Sequence, residues 1–145
     1  RLETSVPGVF AAGDAAAVPD PRGEGLRRVE HWVEAQRQGA HAARGMLGAS
    51  AAYREVPFFW MRGYGGALRF VGQATHYERV VFRGDPQGEA FVAGYYATRD
   101  GREVLLAAVG VKTDREIIRL GQLVGSGRGP SPEQLQDPAF DLLAL

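Results

Sequence analysis

The hydrophobic pattern changes character near residue 48. Before it, the apolar stretch Gly8–Ala12 predicts one short strand. A loop over Ala17–Gly25 follows, holding the breakers Pro19-Asp20-Pro21 and Gly23-Glu24-Gly25. Val29, Val33, Gln36, Ala40, Ala43 and Leu47 then recur at three to four residues, which predicts a helix over Val29–Leu47 stopped by Gly48. Gly39 and Gly45 lie inside that helix, where each costs about 1 kcal/mol against Ala, so a close neighbour is expected to offset it. One short strand and one thin helix cannot close a core by themselves.

After residue 50 the period becomes that of strands. Tyr77–Arg83 alternates, the turn Asp85-Pro86-Gln87-Gly88 leads to Ala90–Thr98, and Arg99-Asp100-Gly101 leads to Glu103–Val111. These predict an antiparallel meander. Val104–Val109 is continuously apolar, which places it centrally with both faces covered, and Ala67–Gly72 supplies a fourth strand. Thr113-Asp114-Arg115-Glu116 reads as a capping box opening a helix whose buried stripe is Ile117, Leu120, Gly121 and Val124 and whose end is Gly125. Ser131-Pro132-Glu133-Gln134 starts a shorter helix with Ser as cap. The second region therefore reads as α+β, a sheet covered on one face by helices.

Composition narrows the chemistry. The 145 residues carry 17 basic and 17 acidic side chains, so a whole-molecule field for nucleic acid is absent. No apolar run approaches the ~18 residues of a membrane span, and Arg1-Leu2-Glu3-Thr4 has no signal-peptide character, so a cytoplasmic location is expected. The absence of cysteine excludes disulfides, iron–sulfur clusters and cysteine zinc sites within the chain. His31, His41 and His76 lack metal-ligand spacing. There is no nucleophile elbow or P-loop, and Gly125-Ser126-Gly127-Arg128-Gly129-Pro130 follows a helix and reads as a linker. No catalytic residue is assigned.

One run is more specific. Thr4-Ser5-Val6-Pro7-Gly8-Val9-Phe10-Ala11-Ala12-Gly13-Asp14 resembles the second flavin-binding motif of the two-nucleotide, glutathione-reductase-like flavoprotein fold. The resemblance implies that the Asp14 carboxylate accepts hydrogen bonds from flavin ribityl hydroxyls, with Gly13 as the close-approach residue. The plainer alternative is a strand ending in a bend that suits Gly and Asp. A second block runs from Arg28-Val29-Glu30-His31-Trp32 through Ala35, Gln38-Gly39 and Ala42-Ala43 to Met46-Leu47-Gly48. It is similar to the ferredoxin/rubredoxin reductase branch, which includes apoptosis-inducing-factor-like proteins. There the start of this helix faces the flavin pyrimidine, which implies a place for Glu30, His31 and Trp32, the last two through backbone N–H groups. Core packing is the competing account of Trp32. Val56-Pro57-Phe58-Phe59-Trp60 resembles the family's entry to its C-terminal domain, which implies Trp60 as an aromatic wall; Met61-Arg62-Gly63 departs from the pattern there. Asp137-Pro138 and Asp141-Leu142 resemble the family's C-terminal interface domain.

The resemblance covers the chain as the last third of a parent about three times longer. It divides the chain into the end of an FAD-binding domain (1–48) and a reductase C-terminal domain (49–145), and the start without Met fits a fragment. The implied parent is an FAD-dependent NAD(P)H oxidoreductase that passes electrons from NADH or NADPH through flavin to a ferredoxin or rubredoxin. The chain alone is then expected to be inactive and to hold FAD weakly. Its first strand, belonging to a parallel sheet, is expected to be poorly anchored or to pair with a neighbouring chain. The alternative is a non-catalytic interaction or dimerisation module working as a homodimer. Arg22, Arg27 and Arg28 form either a docking patch for an acidic carrier or a solvated surface.

Overall fold

The computed structural model describes residues 1–20, 25–63 and 66–145. Pro21–Glu24 of the breaker-rich loop, with Arg22, lie outside the described residues. The chain folds as two compact units, Arg1–Glu55 and Val56–Leu145.

In the first unit the predicted strand Gly8–Ala12 does not form. Its backbone bonds locally instead: Thr4 N–H donates to Val9 O at 2.8 Å and Ala11 N–H to Leu2 O at 3.0 Å, around an antiparallel bridge between Glu3 and Phe10. The turn Val6–Gly8 brings these segments together at little loop-closure cost, so the chain anchors this segment to its own first residues. A single 3-10 turn, Gly13–Ala15, follows. Strands β1 (Val18–Pro19) and β2 (Leu26–Arg27) then pair antiparallel, Val18 opposite Arg27.

Helix α1 spans Trp32–Met46, beginning three residues later than predicted because His31 is extended (φ −145°, ψ 139°). Its end is a Schellman motif. Gly48 sits at φ 94°, Ala49 N–H donates to Arg44 O and Gly48 N–H to Gly45 O. The buried residues of α1 are Glu34, Gln38 and Ala42. Of the predicted face, Gln36, Ala40, Ala43 and Leu47 are exposed. Gly45 does have the expected close neighbour, since a Cβ there would lie 2.9 Å from the Phe10 ring; Gly39 faces open space. Ala16, Val18 and Tyr53 form the unit's small core, with Leu2 and Ala11 packed against it.

The second unit is a five-stranded antiparallel sheet of β3 (Phe58–Gly63), β4 (Gly66–Gly72), β5 (Arg79–Gly84), β6 (Phe91–Arg99) and β7 (Arg102–Val111), in the order β3-β4-β7-β6-β5. β7 is central, as its apolar run predicts, and Leu105–Ala108 are all buried. β3 is the element that the pattern did not predict. Helix α2 (Asp114–Ser126) packs on β4 and β7, and α3 (Pro132–Gln136) on β5 and β6. Small residues on this face admit the helices: a Cβ on Gly110 would lie 2.9 Å from Ile117 Cδ1 of α2, and one on Gly94 would collide with the Leu135 side chain of α3. Ile117, Leu120, Leu135 and Leu142 close the core over Val71, Val81, Val92, Tyr96, Leu105 and Ala108.

Two helix ends were read differently in the sequence. Thr113 makes no cap; its hydroxyl donates to Phe91 O at 3.2 Å, tying the start of α2 to β6. The end of α2 is Gly127, at φ 69°, two residues beyond Gly125. At α3 the expected cap is present as a full box, Ser131 accepting from Gln134 N–H while Gln134 reaches back to Ser131 N–H. On the opposite face of the sheet, Phe59, Phe70, Val109, Ala93 and Phe82 lie in register across all five strands.

Candidate functional site

Gly13 is a constrained point in the backbone of the first unit. It is buried at φ 75°, a conformation that costs an L-residue about 1–2 kcal/mol. A Cβ there would lie 3.2 Å from Ala35 Cβ, so the 3-10 turn sits directly on the first turn of α1. Its N–H donates to Gln38 Oε1 at 2.8 Å, in a buried hydrogen bond. Gly13 O accepts from Ala16 N–H at 2.9 Å, closing the turn. The close approach made by Gly13 is thus to helix α1.

Asp14 follows on the outside of this turn. It is exposed, and its carboxylate makes no hydrogen bond or ion pair among the described residues. Glu30 is exposed, His31 is half-buried at the N-cap position, and Trp32 opens the helix with 71% of its surface exposed. Core packing is therefore not what Trp32 does in this chain. The His31 side chain does not cap α1, and the helix's first bond is Ala35 N–H to His31 O at 2.9 Å. The amides of Trp32 and Val33 precede that bond in the positive end of the helix dipole. The structure thus gathers Gly13, Asp14, His31 and Trp32 around the same end of α1. Trp60 belongs to the second unit, on edge strand β3 opposite Arg69, and is 48% exposed.

Sequence reasoning assigned no role to Glu34 and Gln38, which are 1% and 0% exposed. Gln38 Nε2 donates to Glu34 Oε1 at 3.2 Å, while Glu34 Oε2 has no hydrogen-bond partner. Burial, then the neighbouring Glu34 carboxylate, push the Tyr53 hydroxyl above the usual tyrosine range. The available signal was two polar residues four apart on a helix otherwise rich in Ala. No group of residues among those described has the makings of a metal site.

Comparison with known proteins defines the class. The family model described as "Reductase C-terminal" matches residues 58–145. The ferredoxin–NAD(+) reductase component of the anthranilate 1,2-dioxygenase system of Burkholderia cepacia is 35% identical over 134 residues, covering 92% of this chain and 32% of that protein. Among solved structures, the ferredoxin reductase for the CYP199A2 system of Rhodopseudomonas palustris superposes with a TM-score of 0.87 at 28% identity, over 97% of this chain and 34% of that one. The putidaredoxin reductase–putidaredoxin covalent complex gives 0.86 at 26% identity, over 97% and 33%.

The chain belongs to the reductase C-terminal family, and its relatives are ferredoxin–NAD(+) reductase components and apoptosis-inducing-factor-like proteins. It spans between a fifth and about a third of the length of the curated relatives that it matches. No helix among the described residues is long and apolar enough to cross a membrane.

Proposed function

We propose that this chain works as the C-terminal part of a cytoplasmic FAD-dependent NAD(P)H oxidoreductase whose electrons go to a ferredoxin- or rubredoxin-like carrier. Residues 1–48 complete its FAD-binding domain, and 49–145 form its C-terminal interface domain. The observation that carries the reading is the unpartnered carboxylate of Asp14, held outward by a turn fixed to the start of α1. Family membership and the names of the relatives agree with it.

The donor set suits FAD. A carboxylate accepts hydrogen bonds from a polyol, and an uncapped helix start offers N–H groups and positive potential to a ring that gains negative charge on reduction. Asp14 would hold the ribityl chain, the amides of His31 and Trp32 would face the pyrimidine, and Glu30 would border the site. When bound, the flavin supplies hydride acceptance from the nicotinamide and one-electron release; the protein supplies position and electrostatics.

The test compares the 145-residue chain with the complete gene product. The complete product is expected to purify yellow and to reduce a ferredoxin with NADH or NADPH. The chain alone is expected to be colourless and inactive with a dye acceptor. A chain that alone turns over with NADH would overturn the division of labour, and a complete product without flavin would overturn the reading.

A second role is favoured by the sheet face opposite α2 and α3, where Phe59 (36% exposed), Met61 (42%) and Phe82 (41%) keep apolar surface in solvent. That face suits a subunit contact between two copies. Sedimentation of the complete product is expected to show a dimer that dissociates when Phe59 and Phe82 become Ser; a monomer at all concentrations excludes this role.

A further inference from the structure

Gln38 lies at the back of the Gly13–Asp14 turn, away from solvent, and joins two groups. Its carbonyl oxygen accepts from Gly13 N–H at 2.8 Å, and its amide nitrogen donates to Glu34 Oε1 at 3.2 Å. The two ends of a primary amide are not interchangeable: one accepts and the other donates. The Glu34 carboxylate only accepts when ionised, so it holds the amide nitrogen and turns the oxygen toward Gly13. Flipped, the amide would set N–H against N–H at Gly13 and oxygen against oxygen at Glu34.

Both side chains are at most 1% exposed, so the choice is enforced without competition from water. Glu34 stands in the first turn of α1, where the helix dipole favours a buried negative charge. A helix face that served packing alone would be filled at less cost by the Ala that recurs through α1.

We propose that Gln38 is a positioning residue for the cofactor site, held in its working orientation by Glu34, and that it sets the direction of the Asp14 carboxylate through Gly13. The idea rests on the FAD reading above. Gln38 and Glu34 touch no ligand; they act through the backbone of residue 13. The hydrogen bond to its N–H fixes the Ala12–Gly13 peptide, and with Gly13 at φ 75° and its carbonyl closed onto Ala16 N–H, that peptide sets where the turn carrying Asp14 begins.

The experiment is a double-mutant cycle on the complete flavoprotein, read as FAD affinity by flavin fluorescence and as apoprotein thermal stability. Asp14→Ala tests the FAD reading by itself. Gln38→Leu is expected to weaken FAD binding by about tenfold in the parent and by less than about twofold in the Asp14→Ala background, because both changes remove the same contact. Equal losses in the two backgrounds would show general destabilisation and overturn the proposal, as would a folded Gln38→Leu protein that binds FAD normally.

If Gln38→Leu does not fold, Glu34 decides. Glu34→Gln keeps an acceptor for Gln38 and is expected to retain FAD affinity within about threefold, whereas Glu34→Leu frees the amide and is expected to lose about tenfold. Equal affinities for these two variants overturn the proposal. An Asp14→Ala protein with unchanged FAD affinity removes the FAD reading itself, and this inference with it.

Discussion

Gly13 shows how one residue joins folding to function. Its positive φ excludes a β-carbon on conformational grounds, and Ala35 excludes one by contact at 3.2 Å. Gly13→Ala is therefore expected to destabilise the first unit by about 1–3 kcal/mol, checked by urea denaturation followed through fluorescence. Exposed Asp14, one residue on, is expected to tolerate Ala with stability changed by less than about 0.5 kcal/mol. The contrast separates a residue that holds the turn from one that the turn presents. The sequence made both visible, because Gly-Asp after an apolar run is a specific string. Gln38 and Glu34 stayed hidden as partners, since a polar residue inside an Ala-rich helix reads as solvent-facing until the turn packed against it is known.

At the scale of the element, tertiary contacts decided where local patterns failed. The apolar positions of α1 suggested a face running through Gln36, Ala40 and Ala43, yet the hydrogen bond from Gly13 draws Gln38 inward and rotates the buried side to Glu34, Gln38 and Ala42. Thr113 looked like a cap, but Phe91 O competes for its hydroxyl. β3 was missed because Phe58-Phe59-Trp60-Met61 does not alternate, and an edge strand is recognised by the neighbour that it pairs with. The β5–β6–β7 hairpins were legible because turn residues punctuate them.

In the same unit, Tyr96 is 0% exposed and its hydroxyl donates to Pro130 O at 3.2 Å, linking β6 to the segment before α3. Tyr96→Phe is expected to cost about 1 kcal/mol, measured by thermal unfolding. Burial, then the charges of Glu103 and Glu133, raise the Tyr96 hydroxyl above its ordinary 10.0. The folded state thus holds that proton more tightly than the unfolded chain. The associated stability is present below pH 10.0 and falls as pH rises above it. Tyr96→Phe is expected to flatten that alkaline loss; an unchanged slope would assign it to other groups.

For the whole molecule, the two units differ in how much core they own. Among the described residues, the second closes its core with ten buried side chains, whereas the first gathers three. Limited proteolysis is therefore expected to digest residues 1–55 first and to leave a resistant piece near 56–145 that unfolds cooperatively. The α+β class and the family were both legible in the sequence. The local course of residues 1–20 was not, because the strand expected there forms none of its pairings within this chain, and the backbone closes on itself.

The central claim is that this chain brings Asp14 to an FAD site. The measurement that tests it most directly is the FAD dissociation constant of the complete gene product beside that of its Asp14→Ala variant. A loss of about tenfold or more, with ferredoxin reduction restored by excess FAD, is the predicted result. A variant that holds FAD as tightly as the parent, or a parent that holds none, would contradict it.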